Sequence, residues 1–145
     1  MSESTPIRRE TVVSASPETA FALFTSHIGS WWPLAEKNVL GTGASVAYED
    51  GELVERRRGE TAVWAEVVSW DAPRAVRLAF HPGHGPDHAT DLPVTFTPAG
   101  EGTRVTLEQR HWERLKKDAS DEERQVVVTG WDDVLAAYRR HVEAA

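Results

Sequence analysis

The chain has 145 residues, a formal net charge of −7 and no cysteine. That length suits one domain, able to bury about 68–70% of the surface its unfolded chain would expose. The missing cysteines exclude disulfides, thiolate nucleophiles and cysteine-based zinc sites, and the acidic balance opposes general nucleic-acid binding, which draws most of its affinity from basic surface.

The opening segment, Met1 to Pro6, is short and polar, without the basic and apolar stretches of a secretory signal. No apolar run approaches the roughly 18 residues that a membrane span needs. The expectation is one soluble, cytoplasmic domain over residues 1–145, with 1–6 disordered. Six tryptophans are the compositional oddity: Trp31, Trp32, Trp64, Trp70, Trp112 and Trp131. They can fill a core or wall a pocket, and each indole N–H wants a partner.

The first strand is expected over Ile7 to Ser14, rich in Thr and Val. Ser16-Pro17-Glu18 then announces a helix, with Ser16 as cap, Pro17 in the first turn and Glu18 at the positive end. Phe21, Phe24 and Ile28 fall on one face of it, and Gly29 is expected to end it. Ser30-Trp31-Trp32-Pro33 reads as a turn or a scrap of helix.

After Gly41 and Gly43 the period changes to two. Val46 and Tyr48 lead into Asp50-Gly51, a strong signal for a tight hairpin before Leu53 and Val54. Arg56, Arg57 and Arg58 read as a solvated strand end. Thr61 to Trp70 reads as a long central strand, with Trp64, Glu66, Val68 and Trp70 on one face and Val63, Ala65 and Val67 on the other. Asp71-Ala72-Pro73 makes a turn. Val76, Leu78 and Phe80 mark a half-buried strand, His81 to Asp91 a polar loop, and Val94 and Phe96 a short strand. Thr103 to His111 alternates cleanly and closes the run of strands.

Ser120 and Glu123 have the spacing of a capping box. Val127, Trp131, Val134, Leu135, Tyr138 and Val142 then form one helical stripe. Gly130 interrupts this helix at a cost of about 1 kcal/mol relative to alanine, which close backbone approach or room for a ligand would explain. Hairpin-length connections imply an antiparallel sheet, and the sheet is the only partner large enough for the final helix. The fold class is therefore α+β.

Several stretches, in this order, resemble a known family: Ser16-Pro17-Glu18-Thr19-Ala20-Phe21, Trp31-Trp32-Pro33, Trp64-Ala65-Glu66-Val67, Trp70-Asp71-Ala72-Pro73, Phe80-His81-Pro82-Gly83, Gly102 to Leu107, and Gly130-Trp131-Asp132-Asp133-Val134-Leu135. No single motif is specific, but the ordered set resembles the family of homologues of the activator of heat-shock-protein ATPase. That family is a branch of the SRPBCC (START and pollen-allergen) superfamily. The resemblance implies the helix-grip fold, a curved antiparallel sheet of about six to seven strands around a long C-terminal helix. It also implies a cavity between the two, used by relatives for lipids, sterols, polyketides or hormones. Some relatives are cyclases or aromatases. The family name suggests chaperone co-regulation, but no residue here stands out for such a contact.

Candidate chemistry is sparse. His81, His84 and His88, with Asp87 or Asp91, carry metal-ligand atoms, but two prolines interrupt the run and it matches no standard zinc signature. Glu66 is an anchor for a ligand, or a general base if it faces the concave side, and His81 is a second acid–base candidate. Trp64, Phe80, Trp131, Leu135 and Tyr138 are expected to wall the cavity, with Trp31 and Trp32 closing one end. His111 reads as a surface residue of a connection. No nucleophile elbow, zincin motif or phosphate-binding loop occurs, and no cofactor is expected.

The leading expectation is a binding protein for a small apolar or amphipathic molecule. The alternatives are a cyclase, aromatase or hydrolase using Glu66 or His81, and a protein-interaction module. A homodimer through an unpaired edge strand stays open.

Overall fold

A computed structural model describes residues 6–33, 37, 39–82, 85, 87, 89–111 and 121–144, with the backbone alone for 121–129. The expected disorder of the N-terminus concerns residues that, Pro6 apart, lie outside this range, as do Trp112 and Ser120.

Strand β1 (Ile7–Val13) is buried at both ends. Helix α1 (Pro17–Phe24) starts as its residues dictate: the Ser16 hydroxyl accepts from the Thr19 N–H at 3.3 Å, and Glu18 sits in the first turn. It stops at Phe24, one turn before the expected Ile28. The Thr25 hydroxyl donates to the Phe21 carbonyl at 2.6 Å and the Trp31 indole to the Leu23 carbonyl at 2.7 Å, capturing oxygens at the helix end. Ile28–Ser30 then forms a single 3₁₀ turn.

Seven strands follow one another into one antiparallel sheet. They are β1, β2 (Ser45–Glu49), β3 (Glu52–Arg57), β4 (Glu60–Asp71), β5 (Ala75–Phe80), β6 (Thr90–Ala99) and β7 (Gly102–Gln109). Their order across the sheet is β1-β7-β6-β5-β4-β3-β2. The Asp50-Gly51 turn has φ of 50° and 79°, the doubly positive geometry that matches the twist of a two-residue hairpin. Because β1 and β2 lie at opposite edges, the segment from 14 to 44 must cross the sheet. It carries α1 onto the same face as the last helix, α2 (Asp121–Ala144), and α1 meets β6, β7 and α2 there. The expectation of an α+β chain with an antiparallel sheet of about six to seven strands and a long C-terminal helix is thus borne out, with seven strands observed.

Two differences from the expected strands matter. Strand β6 runs for ten residues rather than the short Val94–Phe96 piece. Pro93 hid its length, since proline has no N–H to give a ladder. The β6–β7 ladder is indeed open at this point: Asp91 bonds Arg110, and regular pairing resumes at Val94 opposite Leu107.

Strand β4 does not keep its period. Leu53 faces Ala65 while Val54 faces Val63, which leaves Trp64 as an extra residue. Val67 faces Leu78 while Ser69 faces Arg77, which leaves Val68 as another. Each bulge reverses the alternation and bends the strand. Trp64 and Ala65 are consequently both buried, Val68 is exposed, and Glu66 lies across from Ala79 rather than on the face of Phe80. The core fills the space between this bent sheet, α1 and α2. Trp31, Phe24 and Tyr138 stack within it at centroid separations of 5.0–5.3 Å.

Candidate functional site

Two adjoining cavities of about 250 and 240 Å³ open where the crossing segment, β4, β5 and α2 meet. Both are lined by Trp32, Lys37, Phe80 and Pro82. Val39 and Trp64 complete the first, and Gln109, Gly130, Trp131 and Val134 the second. Four aromatic side chains, Trp32, Trp64, Phe80 and Trp131, stand in this wall. Trp32 stands between Trp64 and Trp131, at centroid distances of 5.2 and 6.4 Å, and Phe80 lies 5.5 Å from Trp131.

Each indole N–H of this wall is already engaged. Trp64 donates to the Glu55 carboxylate at 2.9 Å, Trp131 to the Gln109 amide oxygen at 2.8 Å, and Trp32 to the Lys37 carbonyl at 2.9 Å. Gln109 is itself fixed by donating to the Thr90 hydroxyl at 3.0 Å, and that hydroxyl donates to the Phe80 carbonyl at 2.9 Å. With the polar handles tied into the protein, what the walls offer a guest is ring surface.

Glu55 holds the rim. Its fully buried carboxylate accepts from the Val39 and Leu40 backbone N–H groups at 2.8 and 3.0 Å, besides the Trp64 indole. A buried charge needs such a set of donors. It joins β3, β4 and the 37–40 segment at one point. Lys37 is fixed through its backbone by Pro33 and Trp32, and its ammonium lies 3.8 Å from the Asp133 carboxylate on α2. Gly130 faces that lysine: a Cβ there would come within 3.7 Å of the Lys37 nitrogen. The room that Gly130 leaves in α2 is occupied by the pocket and its lysine.

Of the residues expected in the wall, Trp32, Trp64, Phe80 and Trp131 line these cavities. Trp31 and Tyr138 sit in the packed core instead. The Tyr138 phenol donates to the Ala20 carbonyl at 2.8 Å, and burial pushes its pKa up. Leu135 is buried and borders a separate groove of about 770 Å³ beside β1, with Glu10, Thr11, Arg139 and Glu143.

Glu66 and His81 form a pair outside both linings. The buried His81 ring has its Nε2 at 2.8 and 2.9 Å from the two Glu66 oxygens. His84 and His88 lie outside the described residues, and among the described ones no three metal-ligating side chains converge. Arg110 pairs with Glu108 and Asp91 on the surface, and His111 is exposed. Sequence reasoning missed Lys37, Val39, Glu55, Pro82, Gln109 and Val134 as parts of the site. Val134 was visible in the helical stripe, and Glu55 follows directly on two apolar residues, Leu53 and Val54.

Comparison with known proteins agrees with this architecture. Residues 14–143 match the profile of a family described as Activator of Hsp90 ATPase homolog 1-like protein. No curated protein matches the sequence. Among solved structures, ChR145 from Cytophaga hutchinsonii superposes with a TM-score of 0.69 at 15% identity, covering 99% of this chain and 97% of that one. The Aha1 dimer from Colwellia psychrerythraea gives 0.65 at 15%, covering 97% of each chain. The anthrahydroquino-gamma-pyrone synthase Txn09, complexed with a compound designated SUM, gives 0.61 at 27% identity, covering 95% of this chain and 97% of that one.

Proposed function

This chain belongs to the Activator of Hsp90 ATPase homolog 1-like family, and from that premise we propose that it binds a small, mostly apolar molecule in the pocket walled by Trp32, Trp64, Phe80 and Trp131. Family and fold alone would not carry the reading, because one fold hosts many functions. The observation that carries it is the wall itself. Its four aromatic side chains turn ring surface toward cavities of about 250 and 240 Å³, with the three indole N–H groups engaged elsewhere. Ligand sites are concave and mostly apolar, with few polar groups, and commonly measure about 300–1,000 Å³. These cavities fall just below that range, which favours a guest of few rings over a long lipid.

The profile match over 14–143 supports treating the whole chain as one domain. A second reading, chemistry in the same pocket, is favoured by the 27% identity to a gamma-pyrone synthase. Glu66 and His81 would then need access to the guest, while Lys37 already lines both cavities. The dimer among the solved relatives, with the sheet edges β1 and β2, supports a homodimer. No described helix is long and apolar enough to cross a membrane, and together with the cysteine-free sequence this supports a cytoplasmic setting.

A thermal-shift screen against fused-ring aromatics, sterols and fatty acids tests the binding reading. A ligand at 100 times its Kd stabilises by about 2.7 kcal/mol, which raises Tm by about 5–10 °C in a domain of this size. The shift should vanish in Trp131→Ala. A library-wide absence of shifts, or a hit unaffected by that variant, would remove the proposal.

A further inference from the structure

We infer that Lys37 makes this pocket selective for planar aromatic compounds bearing an ionised acidic oxygen, a carboxylate or a phenolate. The inference rests on the binding reading above and adds a substrate class to it. Among the described residues lining the two cavities, Lys37 is the only charged side chain, and it lines both. The other polar lining group, Gln109, is engaged on both sides, accepting from the Trp131 indole and donating to the Thr90 hydroxyl. The lysine ammonium is therefore the polar group with capacity to spare.

Its position is built. The Trp32 indole holds the Lys37 carbonyl at 2.9 Å, and the Lys37 N–H donates to the Pro33 carbonyl at 2.9 Å. Glu55 fixes the next turn of chain through Val39 and Leu40. On the far side, Gly130 leaves out the side chain that would meet the ammonium. The partner that Lys37 has is weak: Asp133 stands 3.8 Å away with its side chain 56% exposed, a long pair in solvent that contributes little. An ammonium has three donors and no acceptor. A guest that lays its rings on the tryptophans and directs an anionic oxygen at Lys37 gains a charge-assisted hydrogen bond. A neutral guest of the same shape gains only the ring contacts.

The probes are 2-naphthoate and its neutral analogue 2-naphthylmethanol, titrated calorimetrically into the full chain at pH 7 and low salt. The wild type should bind the carboxylate about tenfold more tightly than the alcohol, the expected return on one charge-assisted hydrogen bond. Lys37→Gln should abolish that preference, so that the variant binds carboxylate and alcohol with equal affinity. Asp133→Asn should act in the opposite direction, tightening the carboxylate alone, and so guards against a Lys37 variant that merely loosens the fold. Equal binding of both probes by the wild type would overturn the role of Lys37 and leave the pocket standing. A preference that survives Lys37→Gln would do the same. Binding of neither probe would overturn this inference, and if the fused-ring screen is also silent the pocket reading goes with it.

Discussion

Replacing Glu55 by glutamine tests whether one buried acid organises the pocket. The carboxylate is fully buried and accepts three hydrogen bonds. Oε1 takes the Val39 N–H and the Trp64 indole, and Oε2 takes the Leu40 N–H. An amide can turn its oxygen to the two-donor side. Its NH₂ then faces the Leu40 N–H, donor against donor, which leaves a buried group unsatisfied at about 1–3 kcal/mol. The two surviving bonds also lose their charge assistance. Relief from burying a charge offsets part of this, so the net loss should be about 2–3 kcal/mol. For a domain near 150 residues this lowers Tm by about 4–12 °C. Differential scanning calorimetry gives the number directly. Because Val39 and Lys37 ride on the same segment, the probe affinity should fall as well. A Glu55→Gln protein melting within about 2 °C of the wild type and binding normally would refute the idea that this carboxylate holds the rim.

Gly130→Ala should separate stability from binding: the new methyl meets Lys37 at ordinary contact distance, helix propensity contributes up to about 1 kcal/mol, and Tm should rise while ligand affinity falls. Tyr48→Phe removes a buried hydroxyl that has no partner among the described residues, so unfolding in urea should show a gain of about 1 kcal/mol. Glu143 accepts from the Ser14 N–H at 2.7 Å and its hydroxyl at 3.0 Å, and these bonds, the backbone one first, hold its carboxyl below the ordinary 4.5. A depressed carboxyl contributes stability above its unfolded value and loses it as pH falls through the folded one. Glu143→Gln should therefore lower stability in the neutral region and flatten the acid limb below pH 4.5, where variant and wild type converge. A limb as steep as the wild type's would show that the Ser14 clamp is idle.

The fold was legible because its signals are local. Asp50-Gly51, the Ser16-Pro17-Glu18 entry and the stripe through Trp131, Val134, Leu135 and Tyr138 each carry their meaning within a few residues. The helix end was not, because Trp31 and Thr25 terminate it through side-chain bonds to carbonyls up to eight residues back. Strand β6 was underestimated for a related reason. Pro93 argues against a central strand by rule, and only the neighbouring strand shows that its missing N–H falls at a gap in the ladder.

The pocket depends on a feature that periodicity cannot carry. Strict alternation puts Trp64 and Glu66 on one face, which made Glu66 the natural anchor. The bulge at Trp64 breaks that phase, so Trp64 turns inward beside Ala65 and Glu66 turns away toward His81. The acid that touches the aromatic wall comes from the next strand: Glu55, opposite Ala62, reaches Trp64. Bulges leave no fixed residue code, whereas a buried acid on a strand leaves a hint, since glutamate is seldom buried without partners. Had the flanking Leu53 and Val54 been weighed with Glu55, the question of which donors it satisfies would have pointed to the 37–40 segment, and from there to Lys37. The polar end of this pocket is thus specified by a loop that no periodicity marks, held by an acid whose only sequence signal is that it stands beside two buried hydrophobic residues.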